Sequence, residues 1–213
     1  MKKLLSIIAT GLLVLSVTSC KKESGKSVDI SAAINAFPTE ELNADELASL
    51  SHMREEEKLA YDVYVTLYNK WGVSVFKNIS ESEETHTEAV NTLLEKYNLA
   101  DPAENHVLGV FQDSTLQSLY NQLVEQGKIS QLEAFKVGAT IEDLDIYDLL
   151  QWKSKIDNQD INYVFDNLTL GSRNHMRSFY SQIVNAGGTY SAQFISQSEL
   201  DAIINSDKES GQW

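Results

Sequence analysis

The chain has 213 residues and a formal charge of −14, with 31 acidic against 17 basic side chains, 42% hydrophobic residues and one cysteine. That acidic balance argues against nucleic acid as a partner and against charge-driven binding to anionic lipid. A lone cysteine excludes an internal disulfide and a multi-thiolate metal site, and the length suits one domain with a sizeable core.

Lys2 and Lys3 open the chain, and "LLSIIATGLLVLSV" (Leu4 to Val17) follows, an apolar run shorter than the ~20 residues of a spanning helix. Small residues then precede Cys20. The pattern resembles the bacterial lipoprotein signal, in which the cysteine is acylated and becomes the mature N-terminus. Removal of residues 1–19 takes away Lys2 and Lys3, moving the net charge from −14 to −16. A lipid on Cys20 would anchor the chain in the cell envelope, as a periplasmic or outer-membrane lipoprotein. Residues 20–40 begin polar and small and close at Pro38. They are expected to be a flexible tether leading to a domain over 41–213.

Within that domain helix signals dominate. Helix one is expected from Ala44 to Trp71, with Asn43 as N-cap, Glu46 three residues on and Gly72 just past the end. Helix two covers Val75 to Tyr97. A connection beginning "NLADPAENHVLGVFQDS" carries a short amphipathic helix, Thr115 to Gln126. Helix three runs from Ser130 to Lys153 and helix four from Gln159 to Ala186. A last short helix, Gln197 to Asn205, has Ser196 and Glu199 spaced as a capping box. Four long helices with one long link between the second and third predict an all-α, ferritin-like four-helix bundle rather than an up-down one.

Unrolled at about 100° per residue, each long helix carries ionisable side chains on its apolar stripe. Glu57 interrupts the stripe of helix one, with Glu55 on the far side. Glu83 and His86 lie within that of helix two, Glu142 and Asp145 within that of helix three, and Ser172 and His175 within that of helix four. An unpaired buried carboxylate costs several kcal/mol or takes up a proton. These inward positions hold no lysine or arginine, so metal cations are the natural partners. Carboxylates and imidazoles suit iron, manganese or zinc, and Glu-x-x-His puts both ligands on one helical face. His52 and His106 fall outside the pattern and are expected at the surface.

The segments "REEEKLAYDVYVTLY", "SESEETHTEAVNTLLEKY", "GATIEDLDIYDL" and "GSRNHMRSF", with the tail "YSAQFISQSELDAII", resemble a prokaryotic ferritin-like family, domain of unknown function 2202. The likeness covers Glu41 to Asn205. More distantly, Glu57, Ala60 and Tyr64, and Glu83 with His86, resemble the motifs of rubrerythrins. The resemblance implies a carboxylate-bridged metal site. In it Glu57 would be a terminal ligand, Glu83 a bridge, His86 a terminal imidazole, Glu142 the ligand from helix three and His175 the second imidazole. One departure stands out: the position three before His175 holds Ser172, where rubrerythrins need a second bridging glutamate. Asp145, one turn beyond Glu142, could restore the total, or could equally partner a backbone donor or His175.

Three hypotheses follow. The first is a di-iron oxidoreductase reducing peroxide or oxygen, with Tyr61 and Tyr64 as hydrogen-bond donors or electron relays and an external electron donor. The second is a metal-sequestering lipoprotein without turnover. The third is a structural or partner-binding lipoprotein whose site has decayed at Ser172. Expected contacts are the membrane, through the lipid on Cys20, and no nucleic acid; assembly as a homodimer stays open.

Overall fold

The computed structural model describes residues 29–211; the signal segment, Cys20 and residues 20–28 lie outside the described residues. Seven helices and no strand occur among them: α1 (Ile30–Asn35), α2 (Ala44–Trp71), α3 (Ser74–Lys96), α4 (Ser114–Gly127), α5 (Gln131–Lys153), α6 (Gln159–Asn185) and α7 (Gln197–Ile204). Local chemistry sets their ends. Asn43 and Glu46 close a capping box at the start of α2, Ser196 and Glu199 close another on α7, and Gly72 ends α2 at φ +67°. That left-handed backbone favours glycine because a Cβ is penalised there.

Two apolar clusters fill the two ends of the bundle. One holds Leu59, Val63 and Leu67 of α2 with Phe76, Phe135 and Phe179; the other holds Leu50, Met53, Val90, Leu93, Phe165 and Leu168. The halves of each helix that enter each cluster fix its direction. α2 and α6 run one way, and α3 and α5 the other. α2 packs on α3 and α5, and α6 packs on α5 and α3, so neighbouring helices are antiparallel. Because α3 and α5 are parallel, the link between them travels back along the bundle, and it carries α4 against α2 and α5.

Two sequence expectations need correction. Residues 29–36 are not part of a flexible tether. α1 is capped by Asp29 and packs on α3 and α6, with Ile34 fully buried and Lys96 Nζ donating to the Ile34 and Phe37 carbonyls at 3.1 Å. Glu55, expected on the solvent side of α2, is buried beneath the long link and accepts from the backbone N–H groups of Gln112 (2.5 Å) and Asp113 (2.8 Å). Arg54 holds Asp101 through two bonds of 2.9 and 2.8 Å, and Lys58 donates to Asp62 and to the Val107 carbonyl. The link thus hides a charged face, and the "REEEK" segment is buried all round.

Candidate metal centre

Between the two apolar clusters lies a layer of buried polar side chains. Glu57, Glu83, His86, Glu142, Asp145, Ser172 and His175 are all buried, so the inward placement read from helical periodicity holds for each of them. Glu83 of α3 stands in the middle. Its Oε2 is 2.8 Å from His86 Nδ1, and its Oε1 is 2.8 Å from His175 Nδ1. The same nitrogens face outer carboxylates: His86 Nδ1 is 3.2 Å from Glu57 Oε2, and His175 Nδ1 is 3.5 Å from Glu142 Oε2. The arrangement is two histidine–carboxylate triads that share Glu83, with the two rings stacked 5.4 Å apart.

Two buried carboxylates outside this layer are fully satisfied. Asp143 accepts from the N–H groups of Gln193, Phe194 and Ile195 and from Tyr190 Oη, and Glu46 accepts from the N–H groups of Asn43, Asp157 and Asn158. In the central layer Glu57 Oε1, Asp145 Oδ1 and His175 Nδ1 are buried without a hydrogen bond, although His175 Nδ1 lies within 2.8 Å of Glu83. The His86–Glu57 contact is a hydrogen bond, whereas the orphaned atoms beside it leave donor positions open to a shared cation. An orphaned buried polar atom otherwise costs about 1–3 kcal/mol.

The electrostatics are those of acids and imidazoles crowded together in a buried layer. Burial raises Glu57 to about 7, against the pull of His86. Burial likewise raises Glu142, and it lifts Asp145 well above the carboxylate range with help from Glu57 and Glu56. Glu83 goes the other way. Burial opposes its ionisation, but the charges of His175 and His86 outweigh it and hold the carboxyl well below its ordinary value. For the two rings burial disfavours the charge, yet Glu83 and Glu57 raise His86 well above 6.5, and Glu83 and Glu142 raise His175 to about 9.

Neighbours fix the donors in place. Tyr64 Oη donates to Glu142 Oε1 at 2.5 Å, whereas Tyr61 lines a separate groove beside Lys58 and Glu84. Ser172 donates to Asp145 and to the Leu168 carbonyl, so its hydroxyl orients the Asp145 carboxylate. His175 Nε2 meets Ser82 Oγ at 3.0 Å. A Cβ on Gly171 would fall 2.5 Å from His86 Cε1 and Nε2, so only glycine admits that ring. The outer edges of both rings line a cavity of about 540 Å³ between α3 and α6.

The sequence reading missed Ser82 and Gly171. Ser82 sits one turn before His86, and a glycine inside a helix, costing about 1 kcal/mol against alanine, signals a close approach. His52, expected at the surface, is only partly exposed and faces Glu56 and Asp148; His106 is exposed as expected.

A family model for the "Uncharacterized protein domain (DUF2202)" matches residues 46–207, which include the whole layer. The chain belongs to the DUF2202 family. It is 53% identical over 178 residues, 84% of this chain and 96% of the relative, to the uncharacterized protein MJ0754 of Methanocaldococcus jannaschii. The crystal structure of hypothetical protein MJ0754 from Methanococcus jannaschii matches this DUF2202 fold with a TM-score of 0.80 at 53% identity, over 81% of this chain and 98% of that one.

Proposed function

We propose that this DUF2202 protein is a ferritin-like, metal-binding envelope lipoprotein that holds two iron ions, or a mixed metal pair, and acts on peroxide or dioxygen. The observation that carries the proposal is the pair of triads sharing Glu83, whose ligand atoms approach one another and are partly without hydrogen bonds. The donor set fits. Glu57 and His86 would hold one ion, Glu142 and His175 the other, with Glu83 between them. Asp145 brings the carboxylates to four, matching two divalent ions in charge. Oxygen and imidazole nitrogen suit iron, and equally manganese or zinc. The antiparallel helix pairs joined by a link along the bundle support the ferritin-like assignment.

Reduced iron would supply the electrons for reduction of peroxide or dioxygen. The chain's own residues do the rest. Tyr64 stays protonated, because burial and then the charges of Glu142 and Glu83 push its phenol well above 10; it keeps one lone pair of Glu142 occupied and the carboxylate fixed. Ser82 and Ser172 fix His175 and Asp145 in the same way. The apolar clusters above and below the layer shield its two ends from bulk water, and the cavity beside the two rings leaves access from the side. No second cysteine exists for an internal thiolate redox site, so the electron donor is external. Cys20 would carry the lipid that holds the protein to the envelope membrane; among the described residues no helix is long and apolar enough to cross one.

Sequestration without turnover is the second reading. Ser172 favours it, since a hydroxyl in place of a carboxylate leaves Glu83 as the single acid shared by both triads. Peroxide consumption separates the two. Protein loaded anaerobically with ferrous iron should remove added hydrogen peroxide over many turnovers when a reductant is present, and Glu83→Ala should reduce the rate at least tenfold. Iron that stays bound while peroxide disappears no faster than in buffer would leave sequestration standing.

A further inference from the structure

We propose that His52, Glu56 and Asp148 form a second, peripheral site for a divalent transition-metal cation on the seam between α2 and α5. His52 and Glu56 are one turn apart on α2, and Asp148 faces them from α5. His52 Nε2 lies 3.5 Å from Glu56 Oε2 and 3.4 Å from Asp148 Oδ2. These separations exceed the roughly 2.7–2.9 Å of a strong charge-assisted bond. They match the edge of a tetrahedron whose metal–ligand bonds are ~2.1 Å, which is about 3.4 Å.

Glu56 points independently to a missing cation. Its side chain is 2% exposed, and both of its oxygens are buried without a hydrogen bond. Among the described residues no other carboxylate has both oxygens in that state, and no lysine or arginine pairs with it. Its neighbours are the His52 ring nitrogen, at 3.5 Å, and a second carboxylate, Asp148, whose charge repels it. One imidazole with two carboxylates selects zinc, manganese, ferrous iron or cobalt over calcium and magnesium, which prefer all-oxygen sets. His52 and Asp148 are 27% and 25% exposed, so water can complete the coordination. No residue of this site belongs to the two triads around Glu83, so the inference stands apart from the proposed function.

The test is cobalt stoichiometry on the full-length chain in detergent, stripped with chelator, saturated with Co²⁺, desalted and measured by mass spectrometry. Wild type should hold three ions per chain, His52→Ala and Asp148→Asn two each, and Glu83→Ala one. Trp152 lies 6.0 Å from His52, so cobalt should quench its fluorescence in Glu83→Ala and not in His52→Ala. A wild type with one ion, lost in His52→Ala and kept in Glu83→Ala, supports this site and removes the buried centre. Equal cobalt content in wild type, His52→Ala and Asp148→Asn overturns the proposal and leaves the three residues as an ion pair bridged by a protonated histidine.

Discussion

Glu57 and Asp143 are buried to nearly the same degree and live in opposite surroundings. Asp143 takes three backbone N–H groups and a phenol, and so pins the segment from Tyr190 to Ile195 against α5. Glu57 shares His86 with Glu83 and has one oxygen with nothing on it. A buried acid needs hydrogen bonds, a cation or a proton; the first acid has its hydrogen bonds, and the second is left to a proton or, on the proposed function, a cation. The sequence could place Glu57, Glu83, His86, Glu142, Asp145 and His175 inside, because helical periodicity alone decides that. It could not place Glu55 and Lys58 inside as well, since the link that covers them is distant along the chain. At this scale Gly171→Ala is the sharpest substitution. The added methyl must push the His86 ring aside, at about 1–3 kcal/mol of overpacking, and metal affinity should fall at least tenfold in a calorimetric titration. Unchanged affinity would show that the His86 position does not matter for binding.

Helix boundaries were legible wherever a side chain or a glycine punctuates them. The Asn43–Glu46 and Ser196–Glu199 boxes and Gly72 put the ends of α2 and α7 within a residue of their expected places. α1 was missed because six residues are too few to show a period, and its stability comes from docking rather than from its own turns. The docking has a measurable consequence. Ile34 is fully buried in the cluster of Leu50, Val90 and Phe165. Ile34→Ala should cost about 2–5 kcal/mol in a denaturant melt, whereas a change at a free tether would cost nothing. The parallel direction of α3 and α5 was readable from one feature, a link too long for a hairpin.

The whole molecule is a bundle with two apolar ends and an ionisable waist, and without metal that waist responds to pH. Burial lifts Glu57 from 4.5 to about 7. For His175 burial works against the charge, but Glu83 and Glu142 prevail and lift it from 6.5 to about 9. Both groups therefore bind more protons folded than unfolded, Glu57 between pH 4.5 and 7 and His175 between pH 6.5 and 9. Stability falls with rising pH wherever the folded state holds the extra proton. Glu83, shifted downward, acts only below its ordinary value of 4.5. Metal-free protein should thus melt at lower temperature at pH 9 than at pH 5, and metal should remove the difference by replacing the protons. A melting temperature that rises with pH in the metal-free protein would contradict the assignment.

Metal content tests the central claim most directly. Wild type and Glu83→Ala, purified without chelator and desalted, would be compared for iron, manganese and zinc per chain by mass spectrometry. With Glu83 shared by both triads, its loss should remove about two equivalents at once. Equal metal content in the two proteins, or none in either after reconstitution with ferrous iron, would contradict a Glu83-centred metal site.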